Sequence, residues 1–423
     1  MLQIQAIRAH EDAIISALKK RNIDAAPIVK NIIDADQKRR ATQTSLDENL
    51  SRANSIAKEI GSLFKEGKAS ETNVLKEESA ELKAASKELQ EQLATSSEAL
   101  QDLLYTLPNV PHESVPSGST EVDNEEIFKA GSIPSLHEGA LPHWELAKKY
   151  DLIDFELGVK IAGAGFPVYK GKGAKLQRAL IAYFLDKNTA AGYTEIQPPL
   201  VVNEASGYGT GQLPDKEGQM YFMPEDKLYL IPTAEVPVTN MFRDVVLTEN
   251  EFPIKYTAYT PCFRREAGSY GANVRGLNRL HQFDKVEIVQ VAHPEKSYQA
   301  LEGMVNHVKE ILTELEIPYR ILRLCGGDLG FTAALTYDFE LFSTAQDSWL
   351  EISSVSNFET FQANRLKLRY KDSQGKSVLA HTLNGSSLAL PRVLAGLLEN
   401  CQTPEGIVIP KILQPYTGFD LIS

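Results

Sequence analysis

The sequence predicts an α+β protein: an antiparallel hairpin of two long helices, followed by a mainly antiparallel sheet flanked by helices. Three observations carry this. Apolar residues recur at heptad spacing on two segments between residues 46 and 103. A proline-punctuated stretch, YTLPNVPHESVPSG (105–118), divides them from the rest. Beyond it, strand-like runs succeed one another without crossover helices, which argues against a doubly wound parallel sheet. At 423 residues the chain exceeds what one core normally organises, so two domains are expected, 1–108 and 109–423.

The hairpin is expected over about 27–104. Between Pro27 and Tyr105 there is no further proline and one aromatic residue, Phe64. Leu46, Leu50, Ala53, Ala57, Ile60 and Phe64 step by 4, 3, 4, 3 and 4. Leu75, Ser79, Leu82, Ser86, Leu89, Leu93, Ser96, Leu100 and Leu103 keep the same alternation. That is the seam of a coiled coil. EGKASET lies between, with Gly67 as the turn residue and Ser70 as the expected N-cap of the second helix. At 1.5 Å per residue, about 40 residues give an arm of roughly 60 Å. Such a rod serves equally as a spacer or dimerisation element. The arm as a whole is not basic, with 11 Lys/Arg against 14 Asp/Glu over 27–104. Toward the tip, Arg52, Lys58, Lys65 and Lys68 face only Glu59 and Glu66, a local charge that suits phosphates.

In the second territory KLQRALIAYFLDKNTAAGY is expected as a helix ended by Gly192, with KGKG before it as a loop. LYLIP, IKYTAYTPCF and KVEIVQVA are expected as strands. YQALEGMVNHVKEILTELEI is a helix, RILRLCG and SWLEISSVSNF are strands, and GSSLALPRVLAGLLEN is expected as a glycine-led helix. The net charge of −12 argues against wrapping by nucleic acid through bulk charge. Cys262, Cys325 and Cys401 stand far apart, so neither a disulfide framework nor a zinc site is expected. No apolar run approaches 18 residues, and the first residues have neither signal-peptide nor transit-peptide character. A cytoplasmic protein without membrane partners is expected.

Walker A, HExxH and GxSxG sequences are all missing. What remains is a set of charged residues on strands: Glu235, Arg264, Glu266, Arg279, Glu287, Glu351 and Arg392. Singly, each has an ordinary explanation. Arg264 and Glu266, two apart, make a same-face pair; the stem of Arg392 could cover a helix face. Together they fit a polyanion and a small zwitterion. Arginine forks suit phosphate oxygens, and Glu351 with Ser354 offers oxygen ligands for Mg2+. A carboxylate such as Glu235 or Glu287 suits an ammonium group, and Phe283 offers a ring face to a purine.

Several segments resemble those of class II aminoacyl-tRNA synthetases. GYTEIQPPLV (192–201), with Pro199, resembles motif 1, which spans about 175–201. FRREAG with the following HQFDKVE resembles motif 2, over about 256–290. GSSLALPR (385–392) resembles motif 3, over about 381–400. Finer segments resemble the seryl-tRNA synthetase family of bacterial type: IPTAE (231–235), EISSVSNFETFQANR (351–365), HTLNGSSLA (381–389), the helical arm and the ending PKILQPY (410–416). Asn364 stands where the family often has arginine, and no role is assigned to it.

The resemblance implies a serine–tRNA ligase whose core is a class II catalytic domain. Serine and ATP would give seryl-adenylate, and the seryl group would pass to tRNA(Ser), with tRNA(Sec) as a further substrate. It implies Arg264 and Arg392 as catalytic residues. Arg264, Arg265, Glu266, Arg279, Phe283, Glu351, Ile352, Ser353, Ser354 and Arg392 would bind ATP. Arg264 would grip the α-phosphate, Glu266 the adenine amino group, and Phe283 and Arg392 the two adenine faces. Thr233, Ala234, Glu235, Glu287, Asn384 and Ser386 would bind serine, and Glu351 and Ser354 would hold Mg2+. It also implies a homodimer whose arms read the long variable arm of tRNA(Ser).

Overall fold

The computed structural model describes residues 1–215, 218–266 and 274–423. The chain divides into two compact units. One is Met1–Lys19 with Ile23–Pro108, the other Lys20–Asn22 with Asn109–Ser423.

The first unit consists of α1 (Ile4–Ala9), α2 (Glu11–Leu18), α3 (Ala26–Lys65) and α4 (Asn73–Thr106), with a short 3₁₀ turn, Ala69–Thr72, between the last two. Pro27 sits in the first turn of α3, where its missing N–H is no loss. Near the base, the buried Asp36 accepts from Arg8 of α1 at 3.1 Å, Arg39 at 3.1 Å and Arg40 at 3.0 Å. A buried carboxylate needs such donors. At the tip, Gly67 takes φ +77°. Gly67 N–H donates to the Phe64 carbonyl and Lys68 N–H to the Leu63 carbonyl, a Schellman ending.

The expected seam of α4 is the buried or half-buried one. That of α3 is displaced. Leu50, Ala57 and Phe64 are exposed, whereas Ile56 is fully buried and Asn49 and Leu63 turn inward beside Leu46, Ala53 and Ile60. Residues three and four apart both fit a heptad spacing, so the spacing alone admits either stripe, and contact with α4 selects the one containing Ile56. Ser70 lies within a 3₁₀ turn, Ala69–Thr72, and α4 starts at Asn73 without a side-chain cap. The tip is also less basic than expected. Arg52 forks onto Glu78 of α4 at 2.7 and 3.0 Å, and Lys68 pairs with Glu66.

The second unit is built on an eight-stranded sheet. Its strands are β1 (Glu125–Ala130), β2 (Thr194–Glu195), β3 (Ile254–Phe263), β4 (Gln282–Ala292), β5 (Tyr319–Arg323), β6 (Leu335–Ser343), β7 (Ser348–Asn357) and β8 (His381–Ala389), in the order β1-β5-β6-β7-β8-β4-β3-β2. Every pair is antiparallel except β2 with β3. One face carries Val286, Ile288, Phe339, Leu341, Ile352, Val355 and Leu383, all in the main apolar core. Helices Gly171–Ala190, Ser297–Glu314 and Leu390–Asn400 add Leu176, Leu180, Met304, Val308, Leu394 and Leu398 to that core. The alternate strand residues, Lys285, Glu287, Ser354, Asn384 and Ser386, point to the other face.

Two expected elements differ. KGKG is mostly helical: Gly173 and Ala174 donate to the Lys170 carbonyl and open the first turn. GSSLA is the end of β8, paired with β4; only from Leu390, with Pro391 in the first turn, does the chain turn helical. The segment expected as motif 2, 256–290, forms β3 and β4, and its residues 267–273 lie outside the described residues. Among the described residues, no helix is long and apolar enough to cross a membrane.

Candidate active site

Alternation along β4 and β8 delivers polar groups to one face of the sheet. Glu287 and Lys285 are two apart on β4, both almost fully buried, with Lys285 Nζ 2.6 Å from the Glu287 carboxylate. Lys285 Nζ also donates to Thr233 Oγ1 at 2.8 Å. Ser386, the register partner of Glu287, donates its hydroxyl to the same carboxylate at 3.4 Å. Glu235 opens a short helix, Glu235–Asn240, and its N–H donates to Thr233 Oγ1 at 3.2 Å. Its carboxyl accepts from Gln362 at 2.6 Å and Gln212 at 3.5 Å. Burial first, and the neighbouring Glu287 second, push the Glu235 carboxyl up to about 7; Gln362 and Lys285 oppose the rise. The buried Asn384 amide is turned toward Glu235 and also opposes the rise, though its nitrogen makes no hydrogen bond of good geometry among the described residues. This pocket thus holds two carboxyls, one ammonium, two hydroxyls and the Asn384 amide donor.

A second group adjoins it. Arg264 Nε donates to the Pro232 carbonyl at 3.4 Å, beside Thr233, and its guanidinium lies 5.1 Å from the centre of the Phe283 ring. Glu266 is paired with Arg279 Nε at 2.5 Å. Ser353, buried on β7, donates to the Ser386 carbonyl at 2.6 Å and so ties β7 to the pocket. Arg392 donates from Nη1 to the Glu351 carbonyl at 2.8 Å and from Nε to the Asn278 carbonyl at 2.9 Å. Its guanidinium is also 3.9 Å from the Glu351 carboxylate. Contacts and chain neighbours therefore link the two groups: Arg392 meets Glu351 on β7, Ser353 of the same strand meets Ser386, Ser386 and Lys285 meet Glu287, Lys285 meets Thr233, and Arg264 reaches Pro232 next to Thr233 and lies over Phe283.

Three of the expected residues stand apart. Arg265 turns to the Met220 carbonyl and the Tyr221 ring. The side chains of Ile352 and Ala234 are fully buried among apolar neighbours, so only their backbones can face a ligand. Three residues of the pocket, Lys285, Gln212 and Gln362, were not anticipated. Lys285 had a signal, since it shares the Glu287 face by the two-residue period of a strand. Gln362 had none: it reaches Glu235 from a helix 127 residues away.

For a divalent cation, the available donors are oxygens. Glu351 is exposed, Ser354 lies three residues on, and Asp338 pairs in register with Ser354. Asp338 Oδ1 is buried and has no donor among the described residues. Burial first, then Glu351, hold the Asp338 carboxyl well above the usual carboxylate range. No three His, Cys, Asp or Glu side chains converge at metal distance among the described residues. Hard oxygen ligands, few in number, fit Mg2+ completed by phosphate oxygens.

Residues 222–401 match the family described as "tRNA synthetase class II core domain (G, H, P, S and T)". The second unit is thus a class II aminoacyl-tRNA synthetase core. Residues 1–111 match "Seryl-tRNA synthetase N-terminal domain". The chain is 48% identical to the serine–tRNA ligase of Salinibacter ruber, covering 100% of this chain and 99% of that protein. It is 46% identical to the serine–tRNA ligase of Chlorobaculum parvum, covering 100% of both. A solved seryl-tRNA synthetase from Pyrococcus horikoshii, complexed with ATP, superposes with a TM-score of 0.92 at 32% identity, covering 100% of this chain and 99% of the other. The chain belongs to the seryl-tRNA synthetase family.

Proposed function

We propose that the protein joins L-serine to tRNA(Ser) at the expense of ATP. The serine carboxylate attacks the α-phosphorus, pyrophosphate leaves, and seryl-adenylate forms. A ribose hydroxyl of the tRNA 3′-terminal adenosine then takes the seryl group and AMP departs. The observation that carries this reading is the pairing of Glu287 with Lys285 and Ser386, one step from Arg264 over Phe283. It sets a hydroxyl-seeking acid beside a phosphate-seeking cation.

In this reading Glu235 and Thr233 take the serine ammonium, and Glu287, Ser386 and Asn384 take its hydroxyl. Alanine would leave Glu287 short of a donor in a buried pocket, a costly omission. Arg264 holds the α-phosphate, where negative charge grows. Phe283 and Arg392 sandwich the adenine, and Glu266 accepts from its amino group once Arg279 releases it toward the phosphates. Glu351 and Ser354 would hold Mg2+, which supplies charge neutralisation along the phosphate chain when bound. Most of the acceleration then comes from positioning and electrostatics.

Residues 1–108 serve as the tRNA-binding domain and 109–423 as the catalytic domain. The arm touches backbone phosphates and reads shape. The active protein is a cytoplasmic homodimer. ATP–pyrophosphate exchange across a panel of amino acids tests the reading: exchange with serine supports it, and no exchange with serine overturns it. Charging of tRNA(Ser), and separately of tRNA(Sec), tests the carriers.

A further inference from the structure

Behind the nucleotide face lies a buried polar cluster that the proposed reaction does not use. His143 and Glu399 are both fully buried. The Glu399 carboxylate accepts from His143 Nδ1 at 2.7 Å, the His143 backbone N–H at 2.9 Å, Gln346 Nε2 at 3.0 Å and the Ser343 hydroxyl. The other ring nitrogen, His143 Nε2, faces the backbone N–H of Leu277 at 2.8 Å. A backbone N–H can only donate, so Nε2 accepts and the ring proton sits on Nδ1, aimed at Glu399. Gly276 takes φ +66°, and a Cβ there would meet His143 Nε2 at 2.2 Å; glycine lets this backbone close onto the ring.

The next residue carries the consequence. The Asn278 carbonyl is the one that receives Arg392 Nε at 2.9 Å, and the Asn278 side chain donates to Gln346 at 2.7 Å. Arg392 and Glu399 stand on one helix, Leu390–Asn400, seven residues apart and so on the same side. That helix grips segment 277–278 twice: through Arg392 at the carbonyl, and through Glu399 and His143 at the amide.

We infer that His143 is a positioning residue for nucleotide binding. It fixes Leu277 and Asn278 so that the Asn278 carbonyl aligns the Arg392 guanidinium. This rests on the proposed role of Arg392 at ATP. His143→Asn keeps a donor for Glu399 but cannot reach Leu277; His143→Gln can set an acceptor near Nε2. In serine-dependent pyrophosphate exchange, His143→Asn raises the KM for ATP about 10-fold, leaves the KM for serine within about 2-fold, and His143→Gln recovers most of the loss. Gln346→Leu, at a half-buried site, raises the ATP KM about 3-fold in the same direction, and it decides the matter should the His143 variants not fold. An unchanged ATP KM in His143→Asn or in Gln346→Leu, equal losses for ATP and serine, or a Gln variant no better than Asn would overturn the inference. Lack of exchange in the unaltered protein would instead remove the proposed function itself.

Discussion

Glu235 is where charge, burial and pH meet. Its carboxyl, ordinarily at 4.5, is raised to about 7 by burial and by Glu287. Folding therefore favours its protonated form. The stability this contributes is full below 4.5 and is lost as pH rises through about 7. On the proposed reading, a serine ammonium at Glu235 would favour the ionised form, so binding should expel a proton near neutrality. The KM for serine should rise about 10-fold between roughly pH 8 and roughly pH 6. Glu235→Gln should flatten that profile, and calorimetry in buffers of different ionisation enthalpy should register the released proton. At Glu287 the expectation concerns selectivity: Glu287→Ala should erase most of the preference for serine over alanine in exchange. Lys285→Met should cost about 3–5 kcal/mol, read as a lowered melting temperature, because it strands a buried carboxylate. The residues themselves were legible in sequence, because TAE and HQFDKVE name them and strand alternation sets Lys285 and Glu287 on one face. Their partners were not: Gln212 and Gln362 come from helices and loops whose approach to Glu235 is decided by tertiary packing.

Among elements, the sheet was the most legible. IKYTAYTPCF coincides with β3 residue for residue, because Ile254, Tyr256, Thr257, Tyr259, Thr260 and Phe263 are β-favouring and the run leaves no helical stripe. Helix starts were less so. GSSLA favours neither state locally, and pairing with β4 decides it. In the arm, α4 was legible and α3 was shifted by a residue, since Leu50 and Ile56 compete as seam residues and only the partner helix separates them. Ser86 is part of that seam, and its hydroxyl is buried without a hydrogen-bond partner among the described residues. Ser86→Ala should stabilise the arm by up to about 1 kcal/mol, seen in its melting, and leave pyrophosphate exchange untouched. Deleting residues 40–90 should spare exchange with serine but abolish charging of tRNA(Ser). Equal loss of both would refute that division between the two units.

At the scale of the molecule, the expected homodimer has a visible motive. Leu200 and Val201, at the end of the segment resembling motif 1, are 38% and 36% exposed. An exposed apolar pair in such a segment suits a two-fold interface. Sedimentation should give about twice 46.8 kDa, and Leu200→Asp should shift the protein toward a single chain. The hairpin sets a further rule. Its two helices run in step along one seam, so the rod behaves like a ruler graduated in sevens. Natural length variants should gain or drop whole heptads on both legs at once. A change of two residues on one leg would turn Ile56 and its companions about 200° away from the partner helix and out to water, and the far end of the rod would fray.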